Sequence, residues 1–324
     1  MTARAPPHAA EPAPPKYLRR GKVKEVYEVS PTELEFRFTN DISVFDKHIP
    51  SEIPHKGETL CATAEYWFDV CGRLGVPHHF LRRSSATAMR VRRVQVVPTP
   101  RSLGPHPTNF LIPLEFIVRY YVAGSMFDRV RAGTVRAESL GFPAGATVPY
   151  GAKLPHPHFE MTTKLEPIDR LLTRDEASEL SGLDRAQMDE VKETILKIDA
   201  AMQREIDPRG LLHVDGKKEF GVDADGRIMV VDTFGTADED RFWDKGSYER
   251  GRQVEFSKEF VRQHYRSIGY YDALQAARAT KATEPPIPPL PPLVVDEVSR
   301  LYTTVYQRLT GRPFVPSTTG PSGS

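Results

Sequence analysis

Residues 213–243, HVDGKKEFGVDADGRIMVVDTFGTADEDRFW, decide how the chain is read, because here the charges fall in step with a strand period. Residues 211–214 and 218–222 are strand-like, Asp223-Ala224-Asp225-Gly226 is a turn in which glycine takes the positive φ, and residues 227–231 return. A ladder symmetric about Ala224 and Asp225 sets Glu219 opposite Val230 and Lys217 opposite Asp232. Side chains alternate faces, so Phe220, Val222, Met229 and Val231 form an apolar face while Asp215, Lys217, Glu219 and Asp232 share the other. Carboxylates gathered in this way raise one another's pKa unless a cation balances them. Mg²⁺ takes one or two carboxylates together with phosphate oxygens and water, and Glu219 and Asp232 would offer that pair beside a nucleotide. The alternative is a solvated hairpin face with ordinary surface charge, and a register slip of one residue would undo the geometry.

A chain of 324 residues is long enough for two domains with sizeable cores. Lys+Arg 44 against Asp+Glu 43 is close to balance, which argues against nucleic acid or an anionic membrane as the main partner. No apolar run approaches the roughly 20 residues of a membrane span. The leader, residues 1–16, is rich in Ala and Pro and lacks the apolar core of a signal peptide, so it reads as disordered and the expected compartment is the cytoplasm. Cys61 and Cys71, ten positions apart in one expected helix, suit neither a disulfide framework nor a metal site.

From the N-terminus, residues 19–27 (RRGKVKEVY) form the first expected element. Its glycine, with Lys22 and Lys24 beside it, can bring backbone N–H and ammonium groups to phosphates, a short basic surface strand being the plainer alternative. Leu34, Phe36 and Phe38 mark the buried face of a strand running into residues 39–46, where polar groups including Asp41 and Ser43 gather at a strand end. Lys56-Gly57-Glu58 opens a helix with the apolar stripe Leu60, Ala64, Trp67, Phe68, Cys71 and Leu74, closed by Gly75. A Pro-rich connector over 98–113 then ends a small β-rich unit.

Residues 114–125 (LEFIVRYYVAGS) are apolar on both faces, as in a central strand. Arg119 within it is either half of an ion pair with Glu115 or an anion ligand, and Gly124-Ser125 can begin a phosphate-binding turn. Residues 141–172 read as a long loop carrying Lys164. Thr173 with Glu176 makes a capping box, and Met188, Val191, Ile195, Ile198, Met202 and Ile206 mark a longer helix with one face on a sheet. Residues 257–268 and 295–309 read as helices with a proline-dense strap over 285–292 between them, and the tail 315–324 as disordered.

Five motifs occur in order over residues 17–312: Gly21-Lys22-Val23-Lys24-Glu25-Val26-Tyr27; Asn40-Asp41-Ile42-Ser43 with Phe45-Asp46; Pro113-Leu114-Glu115 through Arg119 to Ala123-Gly124-Ser125; Lys217-Lys218-Glu219-Phe220-Gly221; and Asp232 through Arg241-Phe242-Trp243. Their combined spacing resembles the phosphoribosylaminoimidazole-succinocarboxamide synthase (SAICAR synthetase) family. The resemblance implies an α+β fold: a small antiparallel β lobe like a kinase N-lobe (17–112), a larger C-terminal α+β lobe (113–314), and ATP in the cleft between.

It also implies an ATP-dependent ligase that phosphorylates a substrate carboxylate and lets the amine of L-aspartate displace phosphate. The enzyme's contribution to such chemistry is positioning and charge neutralisation. By motif, Lys22 and Lys24 resemble the ATP phosphate ligands, and the segment from Leu111 to Leu114 and Glu115 resembles the adenine hinge. Glu219 and Asp232 resemble the Mg²⁺ ligands, and Lys217 would hold the reacting carboxylate. Arg119, Ser125 and Arg241 match the ribose 5-phosphate site, and Asp41, Ser43, Lys164 and Asp238 fall in its substrate-binding motifs.

The substrate half departs from the family pattern. Asp-Glu becomes Asp232-Thr233, and Thr-Pro-Asp-Ser-Ser-Arg becomes Thr236-Ala237-Asp238-Glu239-Asp240-Arg241. A His-Asp pair expected after Lys164 gives way to Asp169-Arg170. A desolvated, unpaired Asp240 would repel a substrate phosphate. The partners expected are therefore Mg-ATP, a small carboxylate acceptor, and L-aspartate or another amine. The readings left open are the purine enzyme itself, a relative recruited to specialised metabolism with a different carboxylate, and a catalytically silent ATP-binding module.

Overall fold

A computed structural model describes residues 14–21, 23–104, 107–166, 169–256 and 258–317. The chain runs through β1 (Lys16–Arg20), β2 (Lys24–Ser30), β3 (Glu33–Phe38), β4 (Asp41–Val44), β5 (Lys47–Glu52), α1 (Lys56–Arg73), β6 (Phe80–Ser85) and β7 (Ala88–Arg92). It continues with β8 (Phe110–Leu111), β9 (Leu114–Tyr121), α2 (Gly124–Arg131), β10 (Lys153–Thr163), α3 (Arg174–Ser181) and α4 (Arg185–Ile206). β11 (Leu211–Val222), β12 (Ile228–Val231) and β13 (Asp240–Asp244) follow, then α5 (Lys245–Glu249), α6 (Glu259–Ser267), α7 (Tyr270–Thr280) and α8 (Pro292–Thr310).

The architecture is α+β. Strands β1-β2-β3-β7-β6 form an antiparallel sheet, β10-β9-β11-β12 form a second with β8 and β13 also on β11, and β4-β5 is a separate hairpin. Helix periodicity is borne out. The α4 stripe from Met188 to Ile206 is buried, as are Leu60, Ala64, Trp67, Phe68 and Cys71 on α1. The Thr173 capping box opens α3. Both cysteines are free and buried. One core runs from Phe36 on β3 through Trp67 on α1 and Ile198 on α4 to Phe220 on β11 and Tyr302 on α8, so the two sheets share it. Among the described residues, no helix is long and apolar enough to cross a membrane.

Three expectations are corrected. First, the hairpin register is shifted by one: Glu219 pairs with Val231 and Phe220 with Val230. The turn holds one residue more than a symmetric reading allows, because the Asp223 carboxylate accepts the amides of Asp225 and Arg227, each at 2.9 Å, with Gly226 at φ 82°. Phe220, Val222, Ile228 and Val230 thus join the main core. Met229 and Val231 turn to the Glu219 face and form a small separate cluster with Leu111, flanked by Val94.

Second, residues 153–163 of the expected loop are strand β10, paired with β9 and irregular between Lys153 and His158. Pro155 and Pro157 hide the strand period, and they are tolerated because β10 is an edge strand. Third, β1 begins at Lys16, inside the segment read as a leader. In the expected tail, the Ser317 amide donates to Glu58 Oε2 at 2.9 Å. Lys22 lies outside the described residues.

Asp223→Ala removes the acceptor that sets the turn length. The expected loss is about 2 kcal/mol of stability, read from urea denaturation.

Candidate functional site

Successive side chains of β11 point to opposite faces of the sheet, so Lys217 and Glu219 stand on one side and Lys218 on the other. Lys217 Nζ lies 2.7 Å from Glu115 Oε1, 3.3 Å from Glu219 Oε1 and 3.7 Å from Glu239 Oε2. Lys164, just beyond β10, reaches Glu219 Oε2 at 2.5 Å. Lys24 of β2 pairs with Asp232 and comes within 3.4 Å of Thr233 Oγ1. Asp232 ends β12 at φ 60°, a left-handed conformation that is strained for a residue with a Cβ, and His79 Nε2 donates to its carbonyl at 3.0 Å.

The electrostatics follow from burial and from these neighbours. Burial pushes Lys24 down to about 8, against the pull of Glu239 and Glu219. Burial alone would depress Lys217 as well, but Glu239, Glu219 and Glu115 hold it well above the usual lysine value. Glu219 is the converse: burial would raise it, while Lys217, Lys164 and Lys24 draw it down to about 2. Glu115 is raised by burial in spite of Lys217. At Lys217 and Glu219 the opposite charges outweigh burial and favour the charged form, whereas at Lys24 and Glu115 burial outweighs them.

Among the described residues no group of three or more metal-ligating side chains is gathered. Glu219 and Asp232 nevertheless fit a cation that takes most of its ligands from phosphate and water. Glu219 Oε2 and Asp232 Oδ1 are buried, and their close partners among the described residues are the side-chain ammonium groups of Lys164 and Lys24. The small apolar cluster of Leu111, Met229 and Val231 lies on the same face of the hairpin.

Beside this cluster opens a cavity of about 680 Å³ whose lining includes Arg119, Ser125, Lys217 and Arg241. Asp215 ties its arginines together: its Oδ2 is 3.1 Å from Arg119 Nη1 and 2.7 Å from Arg241 Nη1. Arg119 also binds Glu160 at 2.8 Å and donates to Ser125 Oγ at 3.2 Å. Arg119 is therefore not paired with Glu115. Four residues along one strand span roughly 13 Å, whereas Asp215 is its neighbour across the ladder. Gly124 begins α2 at φ 53°, and a Cβ there would stand 2.8 Å from Arg241 Nη1, so only glycine lets the guanidinium approach.

In sequence, a model of the family described as SAICAR synthetase matches residues 17–277. The phosphoribosylaminoimidazole-succinocarboxamide synthase of Thermoplasma acidophilum is 51% identical over 300 residues, covering 92% of this chain and 99% of that one. The chain belongs to the SAICAR synthetase family. As a member it is an ATP-dependent carbon–nitrogen ligase. The Nitrosopumilus maritimus synthase is 32% identical over 301 residues, with 92% and 99% covered. Among solved structures, the SAICAR synthase of Saccharomyces cerevisiae complexed with SAICAR superposes with a TM-score of 0.70 at 26% identity, covering 93% of this chain and 96% of that one. A type-2 SAICAR synthetase in complex with ADP agrees in fold, with a TM-score of 0.65 at 21% identity over 92% of this chain and 99% of that one.

Against the family motifs, the structure gathers Lys24, Glu115, Lys164, Lys217, Glu219 and Asp232 around one cluster, and Arg119, Ser125 and Arg241 around the adjoining cavity. Leu114 has its side chain in the main core, which leaves only its backbone for a ligand. Ser43 lines a different cavity, of about 460 Å³, with Arg20, Gly21, Asp46 and His48. Asp41 pairs with Arg20 and accepts from Thr39 Oγ1 at 2.8 Å.

Asp238 and Asp240 turn away from the cavity. Despite burial, Lys258 and Lys56 hold Asp238 well below the carboxylate range, at 3.1 and 2.8 Å, and Tyr302 donates to its other oxygen. Asp240 accepts from His213 Nε2 at 2.8 Å and from the Gly235 amide at 2.9 Å. The expected repulsion between Asp240 and a substrate phosphate is thereby overturned. Sequence reasoning also missed Phe45, Glu239, Glu255, Arg262, Arg266 and Tyr271 in the cavity wall. Phe45 comes from the tight β4–β5 turn, its ring 4.7 Å from that of Tyr271 and under the Arg266 guanidinium. No single-strand period signals such a contact.

Two outcomes are expected. Asp240→Ser leaves His213 and the Gly235 amide without their carboxylate acceptor and costs about 3 kcal/mol in urea denaturation, with no gain in affinity for a phosphorylated substrate. Burial would raise the Glu160 carboxyl, but His158, Arg119 and Arg129 hold it well below its ordinary value. Its stabilisation is thus complete above the unfolded value of about 4.3 and is lost as pH falls toward the depressed one. Glu160→Gln should lower stability at pH 7 by about 3 kcal/mol. It should also flatten the acid limb of a stability-against-pH curve.

Proposed function

We propose that this enzyme joins L-aspartate to carboxyaminoimidazole ribotide through an acyl phosphate, the SAICAR-forming step of purine synthesis, using Mg-ATP. The cytoplasm is the compartment this reading implies. The observation that carries it is the adjacency of two charge environments: a lysine–carboxylate cluster beside an apolar patch, and a cavity with paired arginines sharing Lys217 at its wall. Relatives named for this activity over 92% of the chain support the same substrates, and nothing comparable favours a recruited paralogue or a silent module.

In this reading the adenine lies against Leu111, Met229 and Val231, with backbone from Leu111 to Leu114 beside it. Lys22 and Lys24 take the phosphates. Glu219 and Asp232 hold Mg²⁺, which supplies charge neutralisation at the phosphate oxygens. Lys164 and Lys217 then exchange carboxylate partners for substrate anions, and Lys217 orients the carboxylate that receives the phosphoryl group. Arg119, Ser125, the N-terminus of α2 and Arg241 take the ribose 5-phosphate. Asp238 acts as a strut for the turn before β13. A carboxylate is a poor acyl donor and phosphate a good leaving group, so positioning the two substrates does most of the work. We place the lobes at 17–112 and 113–314, with the nucleotide between them.

The test is mass detection of the succinocarboxamide after incubation with Mg-ATP, L-aspartate and carboxyaminoimidazole ribotide. Glu219→Ala and Asp232→Ala should each lower turnover by at least about 100-fold with folding intact by circular dichroism. Near-normal activity in either variant would remove the metal assignment, and ADP release without the amide would remove the substrate assignment.

A further inference from the structure

The turn entering β13 presents three successive carboxylates, and the middle one stands apart. Asp238 is held by Lys56, Lys258 and Tyr302, and Asp240 by His213 and the Gly235 amide. The backbone between them is tied down by the amides of Glu239 and Asp240, which donate to the Thr236 carbonyl at 3.2 and 3.0 Å. Glu239 is thus aimed by anchors on both sides. Its own carboxylate accepts no hydrogen bond from the described residues, and its nearest cation, Lys217 Nζ at 3.7 Å, is beyond hydrogen-bond reach.

The other acids of the cavity wall are committed. Asp215 bridges Arg119 and Arg241, Glu255 accepts from Tyr150 at 2.7 Å, and Glu259 pairs with Arg262 at 3.2 Å. Asp128 sits at the exposed rim, 3.5 Å from Arg131. Glu239 also lies where the two environments meet. It lines the arginine cavity, and its charge acts on Lys24 and Lys217 on the nucleotide side and on Lys56 and Tyr302 behind it.

An amino acid arrives with its amine protonated, and an ammonium group has no lone pair with which to attack. A carboxylate whose one ion-pair partner among the described residues, Lys217, stands beyond hydrogen-bond reach, at the junction of the acyl-phosphate and substrate sites, both attracts that cation and removes its proton. We infer that Glu239 is the group that receives the incoming amine: it binds the ammonium and takes one proton from it. The inference rests on the acyl-phosphate reading above. One N–H proton passes to the Glu239 carboxylate and leaves a neutral amine. The nitrogen lone pair forms the C–N bond at the acyl carbon as the bond from that carbon to the phosphate oxygen breaks. The second N–H proton departs with inorganic phosphate.

Hydroxylamine separates this step from the one before it, because it is unprotonated at neutral pH and traps an acyl phosphate as a hydroxamate without a base. The full-length protein is assayed with Mg-ATP and carboxyaminoimidazole ribotide, with either L-aspartate or hydroxylamine as nucleophile. Glu239→Gln should lower kcat/KM for aspartate by about 100-fold or more while hydroxamate still forms. Glu239→Asp should recover part of the aspartate activity. Wild-type ligation of aspartate by the glutamine variant overturns the inference, as does parallel loss of amide and hydroxamate. Absence of hydroxamate with the wild-type protein removes the acyl-phosphate reading itself, so the two failures are told apart.

Discussion

β11 has to carry ionic groups on both of its faces while hydrogen-bonding along both of its edges, and the rest of the site depends on how it does so. On one side Lys217 and Glu219 meet Glu115, Lys164 and Glu239. On the other Lys218, fully buried, meets Asp199 at 2.5 Å and lies 3.8 Å from Asp240. Buried pairs of this kind add little net stability, but separating one partner costs several kcal/mol, about 3–5 in typical cases. A slip of one residue would exchange Lys217 with Lys218 and Glu219 with Phe220, breaking pairs on both faces together. The same alternation that presents the reactive face therefore also locks the register.

The cations are mutually restrained by acids. Lys24 is held by Asp232, Lys164 by Glu219, Lys217 by Glu115, and Arg119 and Arg241 by Asp215. An arriving phosphate or carboxylate thus displaces an existing anion from an ammonium or guanidinium group that is already charged and placed. This limits the reorganisation needed when charge develops on the reacting groups. At Lys24 burial outruns the acid neighbours and the pKa is lowered, whereas at Lys217 the acids prevail and it is raised. The strained backbone at Asp232 belongs to the same arrangement, since it turns that carboxylate out of the β12 alternation toward Lys24.

Much of the fold was legible because it rests on local periodicity. The α4 and α1 stripes, the Thr173 cap and the hairpin all follow from residue type and spacing over a few turns. β10 was not legible: its prolines are permitted only by its place at a sheet edge, which no single strand reveals. The register was missed for a related reason, since one side chain, Asp223, lengthens the turn and moves Met229 and Val231 to the charged face.

The sequence by itself determined which chemistry was available: lysines and carboxylates at strand spacing on β11, arginines at the ends of β9 and β13, and a motif order shared with one family. Only the tertiary structure decided which of those groups are already committed. Asp238, Glu239 and Asp240 look equivalent in a row, yet Lys56, Lys258 and Tyr302 take the first and His213 the last. Those partners come from elements far away in the chain. A carboxylate's role depends on the charges that meet it in space, and spacing along the chain records only which neighbours share its strand.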